Sequence, residues 1–397
     1  MSDNVFCILP WTHMHIWPNG TTYPCCLATN DYIVGNTNQS TMEELWNSEK
    51  MTDLRKNILA GKPTSGCNNC YEHEKMGARS MRMNLNKDFK HLHDRTELTN
   101  EDGTLDEIYM AYMDIRFSNI CNFKCRSCGP ELSSFWVDDA IKLGRYKEDQ
   151  PKILKIKNTL DELWEDVEEW IDTVERIYFA GGEPLIMDEH YKILEHLIKI
   201  GKTDIAIAYN TNFSKLTYKN KDVIELWKHF SNLTVGASLD AMGERGEHMR
   251  KGTDWTQIEK NRQRLLKELP DVKFYVSATI SAYNAEHVPD FFDDWISKGY
   301  VKPDCIECNT VLFPDYIRAQ ILPEYKRQEI ISKYQQFYDK HGLDNYGRGS
   351  SFTAFIDSLK TDKSELAPKF VEYNDRLDAL RSESLVDTFP ELECLYR

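Results

Sequence analysis

No apolar run in the 397 residues approaches the ~20 needed to cross a bilayer, so no membrane-spanning helix is expected. The opening residues, MSDNVFCILPW, lack a basic segment followed by an apolar one. No export signal is read there, and a cytoplasmic protein is expected. Basic charge is also short: 49 Lys and Arg stand against 64 Asp and Glu, a net charge of −15. The basic residues are scattered rather than gathered on a stripe. A surface that tracks nucleic-acid phosphates needs the opposite, so nucleic acid is not expected as a partner. Internal repeats and low-complexity segments are absent too. What remains is an ordinary chain, 41% hydrophobic and 28% charged, long enough for one large domain with an appendage or for two domains.

Cysteine is what the chain has in excess. Eleven is a high and odd number for a reducing compartment, where disulfides rarely persist. Cysteines in such a chain more often bind metal or do chemistry, so their spacing carries the information. They fall as Cys7, Cys25 and Cys26; Cys67 and Cys70; Cys121, Cys125 and Cys128; Cys305 and Cys308; and Cys394 alone.

Residues 1–83 read as a compact cysteine-bearing module. Asn19-Gly20 between HMHIW and TTY is a strong hairpin signal. Thr41-Met42-Glu43-Glu44 reads as a capping box opening a helix to about Ile58. The polar stretch 84–107 is taken as a linker. From 108 to 322 strands and helices alternate, with strands expected at Tyr112–Phe117, Arg176–Ala180, Ile205–Tyr209, Leu233–Leu239, Val272–Ile280 and Cys305–Val311. Helices are expected at 188–200, 221–230, 255–268 and 285–298. Such alternation predicts an α/β fold with a parallel sheet. Six strands are too few for a closed eight-stranded barrel and enough for an open sheet or a partial barrel. Residues 323–397 are expected as a helical C-terminal extension.

Cys121-Asn122-Phe123-Lys124-Cys125-Arg126-Ser127-Cys128 spaces three thiols as C-x3-C-x2-C just after the first of these strands. Three thiolates on a short loop can hold three irons of a 4Fe–4S cluster and leave the fourth open. A structural zinc site would want a closed set of four. Zinc or a set of buried free thiols is the rival reading of the triplet taken alone.

The stretch from Tyr112 to Pro314 resembles the radical S-adenosylmethionine (SAM) superfamily, whose signature is this spacing after the first barrel strand. Gly181-Gly182-Glu183-Pro184 follows the second strand and matches the family's GGEP, which implies contact with the methionine amino group. Two glycines would let the backbone approach a ligand closely. Asn210-Thr211-Asn212 ends the third strand and Ser238-Leu239-Asp240 the fourth. The resemblance implies that Asn212, Ser238 and Asp240 line the SAM site, with Ser238 near the ribose or methionine, and that Arg250 pairs with the SAM carboxylate. It implies a partial (β/α)6 barrel. In the family the residue before the last cysteine is usually aromatic and touches adenine; here it is Ser127, a departure that leaves the adenine contact unassigned.

Cys7, then twelve residues, Gly20, four residues and Cys25, with a distant Cys67-x2-Cys70, resembles the Twitch form of the SPASM/Twitch auxiliary-cluster module. The resemblance implies a second 4Fe–4S cluster on Cys7, Cys25, Cys67 and Cys70; a four-cysteine zinc knuckle is the rival. Twitch modules usually follow the barrel, whereas this one precedes it. Cys26 reads as a spare thiol, His13 and His15 as exposed or packed, and Cys305 and Cys308 as mostly structural on the sixth strand.

The expectation is a radical SAM oxidoreductase or maturase. Reductive SAM cleavage would give a 5′-deoxyadenosyl radical that takes hydrogen from a peptide side chain or small metabolite. Oxidation would be assisted by the auxiliary cluster, and a flavodoxin or ferredoxin would donate electrons. No catalytic acid or base is assigned. A non-catalytic zinc or iron–sulfur scaffold is the alternative.

Overall fold

In the computed structural model of the chain, which describes residues 5–75, 79–157, 159–343 and 349–396, the first turn falls where Asn19-Gly20 predicts it. Gly20 takes a φ of +83°, which favours glycine, and its N–H donates to the Trp17 carbonyl over 2.8 Å. The turn joins β1 (His13–Ile16) to antiparallel β2 (Thr21–Tyr23), and β3 (Gly35–Asn36) pairs with β2. The capping box at Thr41 and Glu44 forms as expected. The helix it opens ends early, however: α1 is Met42–Trp46, and α2 restarts at Glu49–Leu59. Asn47 explains the break. Its amide donates to the Leu105 carbonyl (2.9 Å) and accepts from the Leu105 N–H (3.0 Å), which pulls it off the helical path.

The chain divides into two compact units. The first holds Met1–Asn119, Ile153–Ala208 and His229–Asn232; the second holds Ile120–Lys152, Tyr209–Lys228 and Leu233–Arg397. In the first unit β4 (Tyr112–Ile115) and β5 (Arg176–Phe179) complete a sheet ordered β5-β4-β1-β2-β3. β1 pairs in parallel with β4, and β4 with β5. The cysteine-bearing hairpin is therefore built into the same sheet as the first αβ strands. The stretch 84–107, read from sequence as a linker, is packed structure. It includes most of α4 (Met81–Asp88) and the 3-10 segment Lys90–Leu98, and it buries Leu85, Phe89, Leu92 and Leu105. Its few apolar residues lie far apart among charges, so no helical period stood out.

β6 (Ala206–Thr211) passes from the first unit into the second after Ala208. In the second unit β7 (Asn232–Ala237), β8 (Lys273–Ile280) and β9 (Ile306–Thr310) pair in parallel, with helices Trp255–Glu268 and Val288–Ser297 between them. The α/β class and all six strands of the expected partial (β/α)6 barrel are present. Cys305 is a correction: it lies in the 3-10 turn Pro303–Cys305, because Pro303 opens a turn there, and only Cys308 is on the strand. The C-terminal stretch is helical at Glu324–His341, Gly349–Ser358 and Ala367–Arg381; residues 344–348 of it lie outside the described residues. No helix among the described residues is long and apolar enough to cross a membrane.

Candidate functional site

Two thiol clusters and one glycine turn carry the candidate chemistry. In the first unit Cys67 ends the 3-10 turn Ser65–Cys67, and Cys70 sits one turn on in α3 (Asn68–Lys75), so the two share a face. Cys7 precedes β1 and Cys25 follows β2, and the hairpin returns the chain between them. Cys7 is fixed from α4: Arg82 and Asn86 both donate to the Phe6 carbonyl over 2.7 Å, and the Ile8 N–H donates to Asn86 over 2.9 Å. The expected linker thus holds a cysteine in place.

The thiols are close enough to oppose one another's ionisation. Burial first, then Cys67 and Cys70, push the Cys7 thiol up to about 12. Burial and Cys70 push Cys67 up to about 11, and Cys25 is raised by burial, Cys26, Cys7 and Cys67. Cys7, Cys25 and Cys67 thus lie where ionisation is opposed, which suits a group that brings its own positive charge, as iron does.

Gly181 and Gly182 follow β5 in the same unit. Gly181 has a φ of +114°, and a side chain there would begin 3.0 Å from the Cβ of Arg116. Glu183 is buried, and its carboxylate accepts from the Leu185 N–H over 3.0 Å as the cap of the turn Pro184–Ile186. Gly181→Ala is expected to lose about 1–3 kcal/mol of stability through the forced backbone, read as a lower urea midpoint.

In the second unit Cys121, Cys125 and Cys128 lie on one loop, half-buried. Burial and then Cys125 push Cys128 up to about 12. Cys125 and Lys124 pair in antiparallel fashion with Arg250 and Lys251, so Arg250 is tied to the loop by its backbone. Its guanidinium forks onto Asp240 at 2.8 and 3.0 Å, and Nη1 lies 3.9 Å from the Cys125 sulfur. Asp240 also accepts the Thr279 N–H over 2.8 Å. Two of the arms of Arg250 are therefore engaged within the protein, and Asp240 is the residue that orients it. Asn212 is likewise engaged: it donates to Asn122 over 2.9 Å and accepts the Ser214 N–H over 3.0 Å, locking the strand end to the cysteine loop. Ser238 is half-buried at the end of β7, and its N–H donates to the Thr211 carbonyl over 2.8 Å.

Sequence reading missed Arg126, inside the loop itself. It is 1% exposed, and its partners come from the C-terminal extension: Asn374 at 2.7 Å, Glu383 at 2.9 Å and Asp378. The Tyr373 hydroxyl donates to the Arg126 carbonyl over 3.3 Å. Arg381 and Lys124 both meet Asp139, at 2.8 and 2.9 Å. No sequence signal links an arginine to acids some 250 residues away. His248, Asp378 and Glu383 come within 4.8 Å of one another, but these two carboxylates already face Arg126 and Lys251, so the group is an ion-pair network.

Two family descriptions match the chain: an iron–sulfur cluster-binding domain, SPASM, over residues 7–71, and the radical SAM superfamily over residues 115–294. Among curated relatives, a GTP 3′,8-cyclase of Alkaliphilus metalliredigens is 26% identical over 184 residues, 45% of this chain and 51% of the relative. That of Campylobacter lari is 31% identical over 134 residues, 34% of this chain and 35% of the relative. That of a Sulfurovum species is 24% identical over 252 residues, 62% of this chain and 68% of the relative. The chain thus spans about half the length of the first of them. Among solved structures, anSMEcpe with bound AdoMet has a TM-score of 0.41 at 18% identity, covering 59% of this chain and 62% of that one. Streptococcus suis SuiB bound to its precursor peptide SuiA has a TM-score of 0.40 at 11% identity, covering 83% and 69%.

Proposed function

This chain belongs to the radical SAM superfamily through residues 115–294 and carries an iron–sulfur cluster-binding domain over residues 7–71, and we propose that it oxidises a small metabolite or a peptide side chain. When bound, a 4Fe–4S cluster and SAM supply one-electron cleavage of the sulfonium bond, giving methionine and a 5′-deoxyadenosyl radical able to take hydrogen from the substrate. The protein's own residues bind, orient and exclude water.

Cys121, Cys125 and Cys128 would hold three irons and leave the fourth for SAM. The observation that carries this reading is the pairing of that loop with Arg250, which places one cationic arm beside the Cys125 sulfur. With Asp240 holding the other side of its fork, Arg250 would meet the SAM carboxylate through Nη1. Gly181 and Gly182, after β5 in the first unit, are the positions that the family resemblance assigns to SAM, with Glu183 and Pro184 shaping the turn. Asn212 would act by bracing Asn122, and Ser238 would line the ribose side.

Cys7, Cys25, Cys67 and Cys70 would hold the auxiliary cluster. With four thiolates on it, no iron is left to grip substrate, so its role is to accept an electron. The test is direct. Reconstituted protein reduced with dithionite should form 5′-deoxyadenosine and methionine in equal amounts from SAM. Iron-loaded protein that leaves SAM intact would refute the proposal.

A further inference from the structure

Three groups of charges pack on the loop of Cys121, Cys125 and Cys128, and two of them balance. Arg250 faces Asp240, while Arg126 and Lys251 face Asp378 and Glu383. The third does not balance: Lys124 and Arg381 both meet the one carboxylate of Asp139. Across these groups there is one more cation than anion.

The surplus falls on Arg381. Its side chain is 1% exposed, and its Nε donates to Asp139 over 2.8 Å. Nη1 and Nη2 are buried and have no hydrogen-bond partner among the described residues. The guanidinium instead lies 4.7 Å from the ring of Trp136. Such arms are costly to bury unless negative charge lies near. Lys124, by contrast, reaches water, with 19% of its side chain exposed.

Three contacts tie Arg381 to the loop. Trp136, on which it stacks, donates from Nε1 to the Cys125 carbonyl over 2.6 Å. Asp139 joins it to Lys124, the residue before Cys125. Lys251, paired with Lys124 across the strands, donates to the Arg381 carbonyl over 3.5 Å. Trp136, Ala140, Leu143 and Leu377 form an apolar cluster against which Cys128 packs, so the charge is little screened. It reaches the Cys125 thiol, where Arg250 and Arg381 oppose the upward push of burial.

Three thiolates outweigh the double positive charge of an oxidised 4Fe–4S core by one, and reduction adds a further negative charge. We propose that Arg381 is the counter-charge of the cluster on this loop, stabilising its reduced state and so setting how readily the electron for SAM cleavage is loaded. The inference rests on the radical SAM reading and adds a determinant of redox poise, supplied by the last residue of the helix Ala367–Arg381. The Trp136 contacts hold the guanidinium within about 10 Å of Cys125, where a unit charge in a protein interior shifts an equilibrium by about tenfold.

The test is an anaerobic redox titration of the full chain reconstituted with iron and sulfide. Electron paramagnetic resonance follows the reduced cluster whose signal changes when SAM is added. Arg381→Met should make reduction about tenfold less favourable, a midpoint about 59 mV lower for one electron. Arg381→Lys, which keeps the charge, should stay near the wild-type potential. Asp139→Asn, which removes the anion, should move the midpoint upwards. Disturbed packing alone would not give shifts of opposite sign or a rescue by lysine. Iron per chain is counted first, and if Arg381→Met sheds it, Arg381→Gln and Asp139→Asn decide. A neutral variant at the wild-type potential, equal shifts in the methionine and lysine variants, or a downward shift in Asp139→Asn overturns the proposal. Wild-type protein with no cluster signal that responds to SAM would strike the radical SAM reading instead, so the two failures are distinguishable.

Discussion

Arg126→Met is expected to lower stability by about 3–5 kcal/mol, the usual effect of removing one partner from a buried ion pair. Methionine fills much of the same space, so the loss is electrostatic rather than a cavity. Asp378 and Glu383, whose side chains are 14% and 15% exposed, would be left facing each other beside Asn374 without the guanidinium that joins them. Lys251 still meets Glu383, so Asp378 carries most of the penalty. Adding Asp378→Asn should therefore recover part of the loss, a coupling that a double-mutant cycle in urea reads directly. The same substitution frees the residue between Cys125 and Cys128 from the C-terminal helix. Iron retention at this loop should fall along with stability. A variant within about 0.5 kcal/mol of wild type would mean that the extension does not clamp the loop.

The second large effect concerns the first unit. Cys67→Ser with Cys70→Ser removes two of four thiols on one helical face and should halve the iron, from about eight to about four per chain. Serine is nearly isosteric, and Cys70 is 6% exposed, so the fold of α3 should persist by circular dichroism. SAM cleavage should survive, because the loop of Cys121, Cys125 and Cys128 lies in the other unit. Turnover to oxidised product should not. Loss of all iron in this variant would show that the two sets are not independent clusters.

Much of this was legible in the residues, and the reasons are local. Asn19-Gly20 specifies its turn through the positive φ that glycine tolerates, and strand after strand shows β-branched and aromatic runs between polar breaks. The cysteine spacings are chemistry written in short sequence. What was not legible depends on partners distant in sequence. His13 and His15 read as bland because nothing in HMHI reveals that Tyr112 and Asp114 lie beside them. The stretch 84–107 read as a linker because its contacts serve positions far upstream, with Asn86 reaching Phe6 and Ile8. Arg250 and Asn212 were named from a motif, and only their neighbours reveal that Asp240 and Asn122 already occupy them.

The most direct measurement is an iron and sulfide count on anaerobically reconstituted protein, taken with 5′-deoxyadenosine formation, for wild type and a Cys121→Ala, Cys125→Ala, Cys128→Ala variant. The account predicts about eight irons and cleavage in wild type, and about four irons with no cleavage in the variant. Wild-type protein that holds only zinc and never cleaves SAM would contradict it.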